Sequence, residues 1–267
     1  MVCWNEQMLM IAVIGGTGSY DLSLLENRRE RKTETPYGKP SATITTGTVQ
    51  GIEVAFLSRH GEWHAIAPHA INHKANIFAL KELGVERIIA TAAVGSLKPA
   101  IRMGDVVIPN SFIDFSKEVN TFYDEGRVAH VSLADPFCAE LNSQLIGTAK
   151  QLKIRVHEKG TYARIAGPQF STRAASNMYR QFADVIGMTC VPEAVLSREK
   201  EMCYSAIASV TDYDVDVVPG HQVSAQSIID TLKQNAENAK TIIERVLPLA
   251  AKERKCDCGK ALQGAFV

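Results

Sequence analysis

Short apolar runs alternate with amphipathic stretches along almost the whole chain. Apolar runs of strand length occupy residues 8–14, 52–57, 87–93, 105–108, 184–188 and 204–210. Apolar residues recur at helical spacing over residues 68–83, 136–152, 191–201 and 224–246. This alternation predicts an α/β fold with parallel strands in the sheet and helices on both faces. We expect a single domain over residues 1–267, with a core at about 8–248 and a C-terminal tail at 249–267.

The charge balance and the apolar patterning narrow the class of function. The chain has 29 basic and 29 acidic side chains, and this zero net charge argues against broad binding to nucleic acid. No apolar run approaches the roughly 20 residues of a membrane span. The N-terminus also lacks the basic and apolar regions of a secretory signal. We therefore expect a soluble, cytoplasmic protein that binds small molecules and neither nucleic acid nor membrane.

Two aspartates, Asp212 and Asp214, follow the apolar run at 204–210. Ligands of open α/β sheets bind beyond the carboxyl ends of strands, where such side chains are partly desolvated. Desolvation favours a protonated carboxyl group, which can act as a general acid near neutral pH. The alternative is that both are ordinary turn or cap residues, which aspartate also favours.

Three segments could bind an anion. The turn Gly15-Gly16-Thr17-Gly18 after the first strand can present backbone N–H groups to phosphate, although it fits neither the dinucleotide fingerprint nor the P-loop. Arg59 and His60 end the next strand, where a guanidinium can hold phosphate with two parallel hydrogen bonds. Thr189, at the end of a third strand, adds a hydroxyl. The alternatives are a tight turn, a solvated arginine and a core histidine.

Further side chains suit the recognition of a flat, uncharged ring. Phe170, in a loop before a helix, could stack on such a ring, and Met188 offers an adaptable apolar contact. Glu193 lies near a helix start, where an acid is favoured for structural reasons alone. The aperiodic stretch 116–130 is predicted to be a long loop, which in a compact domain is usually functional.

The histidines and cysteines are the residues that could form a metal site or a disulfide. A helix could stack His69 and His73, but no metalloprotease spacing is present, and we expect no metal. Cys256 and Cys258 lie in a basic, polar tail. With only two sulfurs and no histidine nearby, a disulfide is favoured over zinc. The pairing stays open, because six cysteines allow 15 complete pairings.

Six motifs together resemble the trimeric purine nucleoside phosphorylase family, and within it the members that act on 5'-methylthioadenosine. They cover residues 11 to about 248 in family order: Gly15-Gly16-Thr17-Gly18, Thr35-Pro36-Tyr37-Gly38-Lys39-Pro40-Ser41, Arg59-His60-Gly61, Gly167-Pro168-Gln169-Phe170-Ser171, Met188-Thr189-Cys190-Val191-Pro192-Glu193 and Thr211-Asp212-Tyr213-Asp214. The C-terminal Cys256-Asp257-Cys258 is similar to that of disulfide-bearing archaeal members.

The resemblance implies a central mixed sheet with a distorted barrel, in a homotrimer or a homohexamer made of two trimers. It implies reversible phosphorolysis of 5'-methylthioadenosine to adenine and 5-methylthioribose 1-phosphate, as in purine and methionine salvage. Inorganic phosphate is then a co-substrate, and no metal or organic cofactor is expected. The alternatives are a broader phosphorylase acting on adenosine, inosine or guanosine, a nucleosidase that uses water, and a binding protein without activity.

The resemblance also assigns roles to individual residues. Phosphate ligands are expected at Thr17, Arg59, His60, Ala92 and Thr189, of which Ala92 contributes backbone groups. Substrate contacts are expected at Ala93, Phe170, Met188, Asp212, Asp214 and His130, with Met188 under the ribose and Phe170 against the base. Asp212 and Asp214 are expected to be catalytic and to bind the adenine N7 and amino group, and related enzymes for 6-oxopurines have Asn at the Asp212 position. His130 is expected to reach the 5' pocket of a neighbouring subunit.

Overall fold

Eleven strands form one mixed sheet in this computed structural model, which describes residues 9–16, 24–218 and 225–267. The strands are β1 (Met10–Gly15), β2 (Glu26–Arg31), β3 (Ile44–Val49), β4 (Ile52–Ser58), β5 (Val85–Ser96), β6 (Val106–Val107), β7 (Ser111–Asp114), β8 (Val156–His157), β9 (Thr161–Arg164), β10 (Val185–Gly187) and β11 (Cys203–Tyr213). Five α-helices accompany them: α1 (His73–Glu82), α2 (Ala139–Gln151), α3 (Arg173–Phe182), α4 (Cys190–Glu199) and α5 (Ala225–Ala250).

Helices cover both faces of the central strands, as the alternation of patterns predicts. Side chains of β1 point alternately to the two faces. Ala12 and Ile14 pack in the cluster that holds the apolar side chains of α1 and α4. Ile11 and Val13 pack in the cluster formed with α2 and α5. No helix in the described ranges is long and apolar enough to cross a membrane.

The long strand β5 changes partners along its length. On one edge it pairs in parallel with β11 over residues 87–96. On the other edge it pairs with β1 up to Ala90, and with β10 only from Gly95 onward. Within the described strands, residues 91–94 have no strand partner on that edge. The sheet therefore opens beside the carboxyl end of β1, where α/β proteins bind ligands.

The strand pairings correct the barrel that the resemblance implies. Paths run from β5 through β1, β4 and β3 to β2, through β10 and β9 to β7, and through β11 and β6 to β8. No pairing between described strands joins the ends of these paths, so the sheet is branched and open. The physical reason is the divided edge of β5. Because β1 and β10 pair with different parts of this edge, the strands that follow them form separate branches.

The predicted helix at 68–83 is wrong in its first turn. Pro68–Ala70 is a short 3₁₀ helix and Ile71 is extended, so His69 and His73 do not share a helix. The α-helix begins after Asn72, whose side chain accepts a hydrogen bond from Ala75 N–H at 3.0 Å. An N-cap asparagine of this kind fixes a helix start.

The C-terminal tail packs against the core. Leu9 N–H donates to the carbonyl of Ala251 at 3.0 Å, and Cys258 is buried within a core cluster. At its far end, the carbonyl of Ala265 accepts from His130 N–H at 2.7 Å. The tail thus connects α5 to the long loop predicted at 116–130, which the structure shows without a helix or regular strand.

Candidate active site

A cavity of about 490 Å³ lies beside the divided edge of β5, a size typical of small-molecule sites. Its wall includes nine residues that were predicted to act together: Arg59, His60, Ala92, Ala93, Phe170, Met188, Thr189, Asp212 and Asp214. These residues come from the segments directly after β4 and β10, from within β5, from the end of β11 and from the loop before α3. The structure therefore brings together the candidates for anion binding, ring stacking and acid chemistry.

Two of the predicted residues are not part of this cavity as described. Thr17 lies outside the described residues. His130 is exposed and does not line the cavity of its own chain. A contribution from His130 would therefore require a neighbouring subunit, and that role stays a prediction.

Arg59 is completely buried and is held by the carboxylate of Glu193. Its Nε donates to Glu193 Oε1 at 2.6 Å and its Nη2 to Oε2 at 2.8 Å. Burial alone would lower the pKa of Arg59, but the charge of Glu193 outweighs it and the pKa is raised. Burial likewise acts to raise the pKa of Glu193, and the guanidinium reverses this and lowers it. Both groups are therefore charged at neutral pH.

The guanidinium keeps donors for a ligand. Nη1 of Arg59 donates to the carbonyl of Thr91 at 2.7 Å, in addition to the two bonds to Glu193. A guanidinium has five N–H groups, so one on Nη1 and one on Nη2 remain for an anion. Tyr204 Oη also donates to Glu193 Oε2 at 2.7 Å, which fixes the carboxylate behind the arginine.

His60 is neutral in this site and has a defined tautomer. Its Nδ1 lies 2.9 Å from the carbonyl oxygen of Ile66, which can only accept, so Nδ1 carries the proton. Burial lowers the pKa of His60 to about 4, the hydrogen bond to Ile66 opposes this, and the charge of Arg59 adds to it. Nε2 is then an acceptor. The N–H donor of the ring is therefore bonded to Ile66, and Nε2 can accept a P–O–H proton from phosphate.

Gly16 and the N-terminus of α4 lie at the same end of the cavity. Gly16 lies close to Arg59, and a Cβ there would approach Thr91 O to 2.7 Å and Arg59 Nη1 to 2.8 Å. Only glycine fits this contact without displacing the guanidinium. Thr189, which lines the cavity, is the N-cap of α4 and is followed by its first N–H groups. A helix N-terminus of this kind favours an anion.

The two aspartates lie at the other end of the cavity, where β11 has a bulge between Val210 and Asp212. Asp212 is 2% exposed, and its Oδ1 accepts from Tyr213 N–H at 2.8 Å. Asp214 is 5% exposed, and its Oδ2 has no hydrogen-bond partner among the described residues. A buried carboxylate oxygen is costly to leave unpaired, which indicates a ligand that donates to it.

The apolar wall between these ends is formed by Met188 and the loop before α3. The loop turns at Gly167, where φ is 70°, and a Cβ there would overlap the Met188 sulfur at 2.3 Å. Phe170 is half-exposed, so its ring can move against a ligand. Ser171 Oγ is buried, lines the cavity and has no described partner.

Sequence reasoning missed several residues of the site. Glu193 was interpreted as a helix-start acid, whereas it is the buried partner of Arg59. His64, whose ring stacks on His60 with centroids 4.1 Å apart, also lines the cavity. The sequence signal for Glu193 was its position next to Pro192, shortly after Thr189. No local pattern could reveal that it pairs with Arg59, which is 134 residues away in the chain.

Buried histidines should make the fold sensitive to acid. Burial lowers the pKa of His73 from 6.5 to about 4, although Glu193 opposes this, and the ring lies 3.9 Å from Glu193 Oε1. The unfolded chain therefore binds more protons between these pH values. Stability is full above pH 6.5 and falls as the pH drops to about 4. Each unit of pKa shift corresponds to about 1.4 kcal/mol, so His73 accounts for about 3 kcal/mol.

Urea unfolding between pH 7 and pH 4 measures this effect. In a His73→Gln variant the loss of stability should be smaller by about that amount. The remainder comes from other groups with a lowered pKa, such as His60, His64 and Glu193. The exposed His69 offers a matched control, since His69→Gln should keep the full dependence. An unchanged pH dependence in His73→Gln would show that the ring does not titrate as described.

Comparison with known proteins places these features in one family. The family model described as Phosphorylase superfamily matches residues 10–248. The chain is 52% identical over 261 residues to an S-methyl-5'-thioadenosine phosphorylase of Pyrococcus furiosus, covering 97% of this chain and 100% of the relative. It is 49% identical to the protein of that name from Nitrosopumilus maritimus, covering 97% and 99%.

Solved structures agree in fold over nearly the full length. A methylthioadenosine phosphorylase sourced from an antarctic soil metagenomic library superposes with a TM-score of 0.91 at 45% identity, covering 98% of this chain and 93% of that one. A methylthioadenosine phosphorylase from Schistosoma mansoni, in complex with adenine, has a TM-score of 0.90 at 32% identity, covering 96% and 97%.

Proposed function

Because the chain belongs to the phosphorylase superfamily, and within it to the S-methyl-5'-thioadenosine phosphorylases, we propose that the cavity catalyses reversible phosphorolysis of 5'-methylthioadenosine. Phosphate and nucleoside give 5-methylthioribose 1-phosphate and adenine. The observation that carries this proposal is the separation of the two polar ends of one cavity. Thr91, which bonds Arg59, and Gly95, which lies beside Asp214, are four residues apart on β5, or about 13 Å. This length suits phosphate, ribose and purine in a row.

Phosphate attacks the sugar at the Arg59 end. The two remaining N–H groups of Arg59, the Thr189 hydroxyl and the N-terminus of α4 hold phosphate oxygens, and one P–O–H donates to His60 Nε2. Glu193 balances the guanidinium charge, so bound phosphate stays anionic enough to attack. An oxygen of phosphate forms the bond to C1' while the bond from C1' to N9 breaks. Positioning of this kind lowers a barrier by several kcal/mol, up to about 7–11 in ideal cases.

The purine leaves from the aspartate end. The electron pair of the broken bond passes to the ring, and a protonated Asp212 donates to N7. Oδ2 of Asp214 accepts from the exocyclic amine of adenine, which accounts for the unpaired buried oxygen. The same oxygen repels a 6-carbonyl group, so adenine should be preferred over hypoxanthine. This argues against the broader alternative that includes inosine and guanosine.

The site should select the 5' substituent of the nucleoside less strictly than it selects the base. Met188 and the loop before α3 are apolar, and an apolar pocket rejects an added hydroxyl by only about 10–200-fold. Adenosine should therefore be a slower substrate. We propose a trimer or hexamer, since His130 does not line the cavity of its own chain. Light scattering measures the number of subunits. We also propose that the catalytic step needs no metal ion or organic cofactor. The cytoplasmic location stays a prediction.

A substrate panel with and without phosphate tests the proposal. Methylthioadenosine, adenosine and inosine are each incubated with the protein, and free base is measured by chromatography. We expect adenine release from methylthioadenosine only with phosphate, slower release from adenosine and little from inosine. Adenine formed at an undiminished rate without phosphate would instead indicate a nucleosidase. Tight binding of methylthioadenosine without any adenine would indicate a binding protein.

A further inference from the structure

Asn235 is a buried polar residue of α5 to which the proposed chemistry gives no role. It lies directly behind the catalytic cavity, because a small cavity of about 10 Å³ that it lines shares Ala92, Ala93 and Leu232 with the catalytic one. The side chain is 3% exposed and does not itself line the catalytic cavity. Any effect of Asn235 on the reaction must therefore pass through residues that contact the substrate.

The amide of Asn235 has a defined orientation. Its Nδ2 donates to the carbonyl oxygen of Val210 at 2.9 Å. A carbonyl oxygen can only accept, so the amide nitrogen faces Val210 and the amide oxygen does not. That oxygen is buried and has no hydrogen-bond partner among the described residues. A half-satisfied buried amide adds little stability compared with an apolar side chain of the same shape. Stability alone therefore gives no reason for an amide at this position.

Val210 is the last residue of β11 in regular register with β5. It pairs with Val94, Thr211 is skipped, and the pairing resumes at Asp212. A β-bulge of this kind redirects the side chains that follow it, and the next side chain here is that of Asp212. The orientation of the peptide group between Val210 and Thr211 therefore decides where the Asp212 carboxyl group points.

Two donors hold the Val210 carbonyl from different directions. Gly104 N–H donates to it at 2.9 Å, from the turn before β6 and along the edge of β11. Asn235 donates to the same oxygen from α5, which packs on one face of the sheet. A single donor leaves the peptide group some rotation about the strand direction, and a second donor from another direction restricts it. Asn235 thus supplies the second restraint on the first peptide group of the bulge.

We propose that Asn235 is a positioning residue for the general acid Asp212. Its amide N–H holds the peptide group at the bulge in the orientation that directs the Asp212 carboxyl group toward N7 of the purine. The inference rests on the phosphorolysis proposed above. Among the described residues, the Asn235 side chain bonds only to Val210, so the phosphate end of the cavity should not depend on it.

The test compares Asn235→Leu with Asn238→Leu. Leucine is similar in shape to asparagine, and Gly104 still donates to the Val210 carbonyl, so Asn235→Leu should unfold at an unchanged urea concentration. Asn238 is a half-buried asparagine on the same helix, and its Oδ1 accepts from Gln234 Nε2 at 3.3 Å. Both variants and the unaltered chain are assayed for adenine release from methylthioadenosine with phosphate.

We expect Asn235→Leu to lose about 10–100-fold in kcat, because a misplacement of about 1 Å can cost about 10²-fold. Its KM for phosphate should be unchanged, since phosphate binds at the end of the cavity away from the aspartates. Binding of free adenine, measured by calorimetry, should weaken because Asp212 also contacts the base. Asn238→Leu should match the unaltered chain in all three quantities.

The outcomes separate the role of Asn235 from the function on which it rests. No adenine release from the unaltered chain would refute the phosphorolysis and this role together. An active unaltered chain with an equal kcat in Asn235→Leu would refute the role of Asn235 alone. A lower kcat accompanied by a higher KM for phosphate, or an equal loss in Asn238→Leu, would indicate a general disturbance of the fold and would also refute it.

An Asn235→Asp variant gives a readout that does not require the leucine variant to fold. An ionised carboxylate has no proton to donate to the Val210 carbonyl, whereas a protonated carboxyl group has one. Burial raises the pKa of a carboxyl group, so both forms occur between about pH 9.5 and about pH 6. The kcat of this variant relative to the unaltered chain should be lowest at the alkaline end and rise toward the acidic end. A constant ratio would show that the donated hydrogen bond does not position Asp212.

Discussion

An Asp212→Asn variant is expected to lose about 10²–10⁴-fold in turnover of methylthioadenosine. The amide can still occupy the bulged position at the end of β11, but it has no carboxyl proton to give to N7. The departing purine then carries its negative charge into a buried site. This corresponds to about 3–5 kcal/mol of lost transition-state stabilisation. The relative activity toward inosine should rise, because the amide N–H of the introduced asparagine can donate to a 6-carbonyl oxygen and so partly offsets its repulsion by Asp214.

Steady-state kinetics with saturating phosphate measure this effect. Asp216→Asn is the matched control, since Asp216 is an exposed aspartate in the same segment and pairs with Arg173 outside the cavity. The control should retain turnover and base preference. Equal turnover and preference in Asp212→Asn and the unaltered protein would remove Asp212 from base recognition.

A Glu193→Gln variant is expected to lose about 3–5 kcal/mol of stability, because Arg59 then remains charged and buried without its partner. For a chain of this size the melting temperature should fall by roughly 6–20 °C. Phosphate should stabilise the variant more than the unaltered protein, since the added anion supplies the missing negative charge. Thermal unfolding with and without saturating phosphate measures both effects.

Glu199→Gln provides the comparison on the same helix. Glu199 is 3% exposed, and accepts from Thr121 Oγ1 at 2.7 Å and from Phe122 N–H at 2.6 Å, away from Arg59. Its variant should be destabilised less and should gain nothing extra from phosphate. If phosphate stabilised Glu193→Gln and Glu199→Gln equally, Arg59 would not be the group that meets the anion.

The central strands and the cavity could be predicted because their signals are local. The first ten residues of β11 are buried and mostly apolar, and Asp212, the tenth of them, is unusual enough in that run to indicate a site. The edge strand β2 was missed for the opposite reason. All six of its residues are exposed and mostly charged, so neither alternation nor an apolar run marks it as a strand.

Features that depend on distant segments were outside the reach of the sequence. Arg59 and Glu193 were each recognised as notable, but their pairing arises only when β4 and α4 meet. Cys138 and Cys203 meet Cys256 and Cys258 in one cluster, and local spacing shows only the last pair. The motif-based resemblance, in contrast, located nine cavity residues, because a family pattern already contains the result of folding.

The unpaired edge of β5 determines which substitutions near the anion site can be tolerated. A point substitution exchanges a side chain but leaves the peptide group, so contacts made by the main chain of residues 91–94 persist through changes at Ala92 or Ala93. Added hydroxyls or methyl groups there would adjust affinity rather than abolish it. Gly16 has no such latitude, because any Cβ would come within 2.7 Å of Thr91 O. Substitutions should therefore be tolerated on the side of the anion formed by Ala92 and Ala93, and excluded on the side formed by Gly16.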